Sequence, residues 1–475
     1  MRIVICGAGD VGRYLAVMFE MENHDITVMD IDEDKLERLR ENLEVNTVIG
    51  NATVLSDLMA AEVHKADLVV AVTKNETDNM VSCSLASGLG AKKTIARVDN
   101  REYVREENTT RIRKLGITQM VYPELSAARE IVGSMKTNWQ RLTMSFGGGA
   151  LELMAVKLRE DAGVLNQAFK TGFMNHEKFR VVAIKRGGKT FNPQGDDMLM
   201  AGDIAYIMLM PTEENLEFTR TQCGKNSKRY KANVESVVIM GGGRVAVNTA
   251  RLLIQRQEKD KSALAVNLEK LGIKTERGRK RVLIVEKDEH RAAELKALLP
   301  EVDVLCGDAR DMDMMEREGL ADADAFVALT ESSEANIIAC LAAKQRFGVV
   351  KTIAEVENND YIQLAQNLDI GTIVNKKLIA ASNIYQMTLN GSVQNVTLVP
   401  LSSDAKVVEF EAAAGSRITK GKIKDMGIGK GVNFAGYVRN GVGYVCSGGT
   451  EIEAGDHVVV FCLKDSVHGV EGLFN

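Results

Sequence analysis

Arg2-Ile3-Val4-Ile5-Cys6, followed at once by Gly7-Ala8-Gly9-Asp10-Val11-Gly12, is the stretch that decides the fold. A short apolar run bounded by glycines predicts a buried strand. Beyond the turn, Leu15, Met18 and Phe19 recur at helical spacing, and Ile26-Thr27-Val28-Met29 ends on Asp30. Strand, glycine turn, helix, strand and acid, in that order, form the first half of a dinucleotide-binding βαβ unit. Gly7 makes the tight turn out of the strand. Gly9 has no Cβ, so a pyrophosphate can approach the backbone there. Gly12 lets the helix pack close to the sheet. The helix N-terminus offers free N–H groups and a partial positive charge to phosphate. Asp30 follows Gly12 by 18 residues, close to the ~20 expected of an acid that bonds a ribose 2′-OH. A lone glycine turn also arises from packing alone, but here strand, helix and acid are all in place.

Outward from this unit the alternation continues. Residues 35–42, 56–61 and 76–89 read as helices, and 45–49, 67–73, 93–98 and 116–123 as strands. The strand at 67–73 is apolar almost without alternation, which suits a parallel sheet covered on both faces. Strands alternating with helices predict an α/β, Rossmann-like doubly wound parallel sheet. The pattern then changes. Residues 151–158, 179–185 and 204–210 read as short strands, with Gly187-Gly188 and Ala201-Gly202-Asp203 as turns, giving a small α+β module. Residues 213–234 are polar, carry Lys225, Lys228, Arg229 and Lys231, and read as a linker whose charges are solvated.

The chain then starts again. Val237-Val238-Ile239-Met240 leads into Gly241-Gly242-Gly243-Arg244-Val245-Ala246, the G-x-G-x-x-A form of the turn. Residues 281–286 are the second strand, with Glu286 in the place of Asp30. Gly307-Asp308-Ala309 answers Gly50-Asn51-Ala52, and Thr330 answers Thr73, both at an offset of 257. Lys351-Thr352-Ile353-Ala354-Glu355-Val356 answers residues 93–98, and Ala454-Gly455-Asp456 answers Ala201-Gly202-Asp203. Five matches in one order indicate an internal duplication. The glycine turns are offset by only 234, so an insertion lies before the second copy's second strand, near residues 257–280.

A chain of 475 residues has material for about three or four domains. Net charge is −5, so no basic field points to nucleic acid. No apolar run reaches the ~18 residues of a membrane span. The opening strand has no signal peptide ahead of it, and the seven scattered cysteines, without a C-x-x-C, suit a reducing cytoplasm. No histidine lies in a metal-ligand spacing, and no serine elbow or Cys/His pair is present, so neither metal nor catalytic residues are expected.

On Gly7-Ala8-Gly9-Asp10-Val11-Gly12, Asp30, Gly50-Asn51-Ala52, Ala71-Val72-Thr73, Thr94-Ile95-Ala96-Arg97 and their second-copy partners, the chain resembles the RCK (also called KTN) family. Along its whole length it resembles the peripheral NAD-binding subunits of Trk-type potassium uptake systems. The resemblance implies nucleotide-binding lobes at 1–135 and 235–388, small C-terminal modules at 136–213 and 389–475, and a linker at 214–234. It also implies a cytoplasmic regulatory protein at the inner face of the membrane, beneath a separate integral-membrane potassium-transporting subunit. Such proteins assemble as homo-oligomers, dimers or tetrameric rings, whose shape changes with ligand and gates the pore. One departure stands out: the second copy has Glu355 where the first has Arg97.

The expected cofactor is NAD or NADH, with ATP and ADP as alternatives. Asp30 and Glu286 disfavour a 2′-phosphate. Gly7 to Gly12, Asp30, Asn51, Ala52, Thr73, Lys74 and Arg97 make the first candidate site. Gly241, Gly242, Gly243, Arg244, Val245, Glu286, Asp308, Thr330 and Glu331 make the second. Arg97 is open to phosphate contact or to a surface ion pair. Arg13 and Arg244 are open to phosphate or to a neighbouring subunit. Two function classes remain: a nucleotide-sensing transporter subunit, or a cytosolic NAD-dependent oxidoreductase. A dehydrogenase needs an acid/base group in its second domain, whereas these small modules carry little beyond apolar strands and turns.

Overall fold

The computed structural model describes all residues except 21–23, 136, 172–174, 177–178, 225–229, 231–233, 256–279, 389–392, 399–404, 430, 464–467 and 475. They fall into two compact units. One comprises Met1–Ala127 with Asn375–Leu389, the other Ala128–Val374 with Asn390–Asn475.

In the first unit, β1 (Arg2–Cys6), β2 (Asp25–Asp30), β3 (Asn46–Ile49), β4 (Leu68–Ala71), β5 (Lys93–Arg97) and β6 (Gln119–Val121) alternate with α1 (Asp10–Glu20), α2 (Glu33–Arg40), α3 (Leu55–Ala60), α4 (Glu76–Leu89) and α5 (Glu106–Arg113). The strand order is β3-β2-β1-β4-β5-β6, and every pair is parallel. The order reverses between β1 and β4, which opens a crevice at the strand carboxyl ends, where the first glycine turn lies. The central β4 is buried at every residue, as a strand covered on both faces must be. Helix α6 (Pro123–Ser134) follows β6.

The second unit repeats that sheet and adds two antiparallel ones. Strands β7 (Leu142–Phe146), β8 (Leu151–Lys157), β9 (Asn175–His176), β10 (Phe179–Arg186), β11 (Lys189–Phe191) and β12 (Ile204–Leu209) form the first small module, in the order β11-β10-β12-β8-β7 with β9 on β10. The segment from 213, read from sequence as linker, begins instead with a helix, α7 (Glu213–Gln222). The Thr212 side chain caps it by accepting from the Asn215 N–H. Lys225, Lys228, Arg229 and Lys231 lie outside the described residues, as does the insertion through residue 279.

Strands β13 (Ser236–Met240), β14 (Arg281–Glu286), β15 (Asp303–Cys306), β16 (Ala325–Ala328), β17 (Lys351–Glu355) and β18 (Thr372–Val374) run β15-β14-β13-β16-β17-β18, again all parallel. Their helices are α8 (residues 244–255), α9 (Glu289–Leu298), α10 (Met312–Arg317), α11 (Ser333–Phe347) and α12 (Asn359–Asn367). The next helix, α13 (Lys376–Thr388), belongs to the first unit. Ala380, Ala381, Ile384, Tyr385 and Thr388 make its buried stripe, and the Tyr385 ring meets Phe19 of α1 at 5.5 Å. The sequential boundaries at 135 and 388 therefore do not follow the compact bodies. A helix encoded after the second sheet completes the first lobe, and α6 leaves the first unit after Ala127.

Strands β19 (Val393–Leu398), β20 (Ala405–Glu411), β21 (Val432–Arg439), β22 (Val442–Val445) and β23 (His457–Leu463) take the order β19-β20-β23-β21-β22, the topology of the first module read from the other edge. The duplication extends to side chains. Asp203 accepts from Arg186 Nε at 2.8 Å and Nη2 at 2.7 Å, and Asp456 accepts from Arg439 Nε and Nη2 at the same two distances. Gly202 and Gly455 share φ +86°. The repeated Ala-Gly-Asp is thus a left-handed turn whose carboxylate pins a bidentate arginine. The two modules share one core, where Leu153, Tyr206, Val407 and Phe461 pack together. A Cβ on Gly443 would collide with the Ala150 carbonyl oxygen, so only glycine permits this approach.

Candidate functional site

In the first lobe the glycine turn has the geometry its residues dictate. Gly7 adopts φ +115°, and a Cβ there would press on the Thr73 N–H nitrogen at 3.0 Å. A Cβ on Gly12 would strike the Gly7 carbonyl oxygen, whereas one on Gly9 would meet nothing within 4 Å. The protein therefore leaves space over Gly9 and closes it elsewhere. Val11 and Gly12 are buried, and the Asp10 and Arg13 side chains face outward. Asp30 accepts from the Ala8 N–H at 2.6 Å and from the Asp32 N–H at 3.0 Å, with Lys35 Nζ at 3.6 Å. Each oxygen keeps a lone pair for a ribose hydroxyl.

The other sequence-predicted residues lie at strand ends or in the turns that follow. Asn51 turns inward on its own loop, accepting from the Thr53 N–H and hydroxyl, and Ala52 is buried. Lys74 is exposed. Thr73, read as a ligand group, spends its N–H and hydroxyl on Asn79 Oδ1 at 2.8 and 2.7 Å. Asn79 is buried, and its amide reaches the carbonyls of Thr73 and Arg97. It ties the carboxyl ends of β4 and β5 together. Arg97 forms a short-range ion pair. Its Nη2 lies 3.3 Å from Asp99, while its Nε is buried without a partner.

Two groups near this crevice escaped the sequence reading. Glu124 of α6 has a buried Oε2 with no partner, and burial pushes its carboxyl up from the usual range. Lys377 of α13 reaches Asp10 at 2.8 Å, on the turn itself, from 367 residues away in sequence. No sequence signal exposes such a pair. Asn79 did leave a signal: it follows Thr73 by six residues, and Asn336 follows Thr330 by the same six.

The second site follows the same plan. Gly241 has φ +95°, and Val245 and Ala246 are buried. Glu286 accepts from the Gly242 N–H at 2.6 Å. Thr330 donates from its N–H and hydroxyl to the buried Asn336, whose amide reaches Thr330 and Glu355 carbonyls. Differences lie at the rim. Asp308 pairs with Arg310 at 2.6 Å, and this hydrogen bond holds its carboxyl down to about 2. Arg291 donates to the Gly242 carbonyl at 3.0 Å. Gly243 is nearly open, Glu331 is exposed, and Glu355 is buried in the place of Arg97.

Six of the seven cysteines are buried, and Cys306 is exposed. All seven are free thiols, and burial pushes Cys6, Cys340, Cys446 and Cys462 up to about 12. Among the described residues no three His, Cys, Asp or Glu side chains gather as a metal would require. None of the described helices is long and apolar enough to cross a membrane.

Residues present at the first turn fit a dinucleotide. The space over Gly9 suits a pyrophosphate, and the anchored Asp30 suits a ribose. The buried Arg97 Nε offers a further donor. Fold and site together define a tandem repeat of dinucleotide-binding-type lobes, each followed in sequence by a small antiparallel module. The TrkA-N domain family matches residues 3–123 and 270–376, and the TrkA-C domain family matches 407–475. The chain belongs to the TrkA-N and TrkA-C domain family, whose matches together span more than half of it. It is similar to the Trk system potassium uptake protein TrkA of Azorhizobium caulinodans, at 28% identity over all of this chain and 98% of that one. The same protein of Haemophilus influenzae is 29% identical over 100% and 98%. In structure it is similar to the GsuK channel bound to NAD, at TM-score 0.56 and 15% identity, covering 100% of this chain and 78% of that one. These relatives are uptake proteins and a channel, not enzymes.

Proposed function

We propose that this chain is the cytoplasmic gating subunit of a Trk-type potassium transporter, lying against the inner face of the membrane. NAD(H) or an adenine nucleotide binds its first lobe and sets the flux through a separate integral-membrane partner. The observation that supports this reading best is the first glycine turn. It has open space over Gly9 and an acid anchored on Ala8. The proposed ligand contacts are the predicted residues of both sites. Thr73 and Thr330 contribute lone pairs only, since their protons serve Asn79 and Asn336. The proposed domain divisions keep the sequential lobes and modules, with α13 completing the first lobe.

A ligand shifts a two-state assembly only by its differential affinity for the two states, typically about 1–3 kcal/mol. Lys377 gives such a difference a physical start. It is bonded to Asp10 on the turn, and its helix continues in sequence into the second small module. Phosphate at the turn competes with Asp10 for that ammonium. The lobes act within a symmetric homo-oligomer, the usual outcome for a soluble assembly.

The test is potassium uptake into vesicles carrying the transporter, with this subunit added. Nucleotide changes the flux, and Asp30→Ala blunts the change while complex formation survives. Flux indifferent to subunit and nucleotide, together with NADH oxidation on some small substrate, would establish the oxidoreductase instead.

A further inference from the structure

Within the second unit, a cavity of about 560 Å³ lies where the first small module meets the edge of the second sheet. Its walls carry five cations, Arg141, Lys157, Arg159, Lys344 and Lys351, and a single carboxylate, Asp369. Arg141 contacts Asp369, Lys157 lies 2.8 Å from it and Lys344 3.0 Å. Lys351 is fully buried and donates to the Gln140 carbonyl at 2.7 Å and toward Thr372 Oγ1 at 3.2 Å. The pocket is structurally framed. The Thr372 hydroxyl donates to the Arg141 carbonyl at 2.8 Å, which fixes the guanidinium beside the sheet edge.

The internal duplication shows that this chemistry belongs to the second copy alone. Cys83 and Cys340 correspond, so Ser87 answers Lys344. The loop before β6 opens with Gly116, and the loop before β18 opens with Asp369. In the first copy a Cβ on Gly116 would press on Ser87 at 2.7 Å; in the second the same two positions hold an ion pair. Gly116 has φ +82°, and Asp369 keeps φ +57°, a conformation a side chain adopts at a cost. Lys93 is exposed at the edge, while its counterpart Lys351 is buried. Two differences between the copies, Ser87 against Lys344 and Gly116 against Asp369, together with the burial of a lysine that both copies keep, set this edge apart.

Charges so placed are expensive. Burial, then the neighbouring Arg141, pushes Lys351 down to about 7, and burial takes Arg141 down to about 10. Lys157 is lowered by burial and by Arg141 in turn. Asp369 is shared among Arg141, Lys157 and Lys344, while Arg159 pairs with Asp161 at 3.4 Å and Glu130, its own carboxyl pushed up by burial, acts on Lys351. Cations still outnumber carboxylates, and removing water from such charge is costly unless a counter-ion joins it. Phosphoryl groups suit an arginine fork flanked by lysines. The space falls within the ~300–1,000 Å³ of small-molecule sites.

We infer that the Arg141–Lys157–Lys344–Asp369 pocket binds a phosphate chain of two or more negative charges, at a site separate from both glycine turns. Asp369 holds the cations in place and competes with the anion for them. The ligand is either an inorganic polyphosphate or the phosphate chain of a nucleotide.

The experiment is calorimetric titration of the full chain with inorganic tripolyphosphate, ATP and adenosine. Tripolyphosphate binds one site per chain. Lys157→Gln with Arg159→Gln, both at accessible side chains, weakens it by about tenfold or more. Asp369→Asn keeps the backbone conformation, since asparagine tolerates the left-handed region, and tightens binding by removing the competitor. A merely structural Asp369 would not give that sign. Gly9→Val with Gly243→Val leaves tripolyphosphate binding intact. In the Gly9→Val, Gly243→Val chain, equal affinities for tripolyphosphate and ATP identify the phosphate chain alone as the ligand; tighter ATP, competed by adenosine, identifies a nucleotide. No tripolyphosphate binding, binding unchanged by the lysine and arginine substitutions, or binding lost in the glycine variants overturns the inference.

Discussion

The two nucleotide lobes share sheet order, register and an asparagine that ties adjacent strand ends, yet differ where a ligand would lie. In the first, a short acid meets an alanine N–H; in the second, a longer acid meets a glycine N–H, and both distances are 2.6 Å. The extra methylene of Glu286 is compensated by removal of the methyl group at Gly242. Duplication has preserved the carboxylate-to-turn hydrogen bond while the side chains forming it changed. At the rim, by contrast, the chemistry changes. Arg97 becomes Glu355, and Asn51 becomes an Asp308 already neutralised by Arg310. The frame is held in common, and the ligand chemistry has diverged.

The largest expected effect separates the lobes by binding. Gly9→Val places its side chain in space that no protein atom occupies, so the chain folds, but NAD affinity falls by on the order of a thousandfold, about 4 kcal/mol. Gly243→Val leaves that first-lobe binding unchanged. Equal losses from both substitutions would show that the lobes are equivalent as NAD sites. Wild-type binding by Gly9→Val would place the site elsewhere.

Next is the pH dependence of a buried lysine. Lys351 is taken down to about 7 by burial and by Arg141, with Glu130 of α6 opposing. The unfolded chain binds the proton more tightly between pH 7 and 10.5, so the penalty is complete below pH 7 and gone above 10.5. Lys351→Met loses hydrogen bonds at every pH, but relative to wild type it gains a few kcal/mol as pH falls from 10 to 7. Lys93→Met, at the exposed counterpart, supplies the control. Denaturant midpoints across that range measure both, and parallel curves for Lys351→Met and wild type would refute the shift.

Much of this frame was legible in sequence because it rests on local rules. Glycine turns, the acids at the ends of the second strands and the 257-residue offset all follow from spacing. The same is true of the Ala-Gly-Asp turns, although their arginine partners come from a neighbouring strand that spacing does not reveal. What stayed hidden was non-local. Helix α13 reads as part of the second lobe because it follows β18, yet its apolar stripe packs on α1. Lys377, Glu124 and the Asp369 pocket arise from tertiary juxtaposition. Helix α7 was misread because its charged face outweighs few buried residues; its capping Thr212 was the missed signal. Thr73 stands at a strand end, where open sheets of this kind bind ligands, and spacing alone does not reveal that Asn79 takes both its protons.

A smaller effect tests the common frame. Asn79→Ala and Asn336→Ala each remove a buried amide that serves two carbonyls and a threonine. Each costs about 2 kcal/mol of unfolding free energy, because the carbonyls are left unpaired. Similar losses confirm that the tie is equivalent in both copies; a loss confined to one breaks the equivalence. Local amide exchange at β4 and β16 reports the two lobes separately.

The smallest effect asks whether glycine and glutamate in the second turn are a matched pair. A Cβ on Gly242 would strike the Leu295 methyl and lie 2.8 Å from Glu286 Oε2. Both are ends of flexible side chains, so Gly242→Ala alone costs about 1 kcal/mol as they give way. Glu286→Asp alone shortens the acid and loses its hydrogen bond to the Gly242 N–H, again about 1 kcal/mol. Together they restore the Ala8–Asp30 arrangement of the first lobe, where an alanine N–H and an aspartate meet at 2.6 Å. The double variant is therefore more stable than the sum of the single losses allows, with a coupling of about 1 kcal/mol, within the range for residues in contact. Thermal or denaturant unfolding of the four proteins closes the cycle. Strict additivity would mean that the two changes between the copies are independent, and that the equal distances in the two lobes do not arise from compensation.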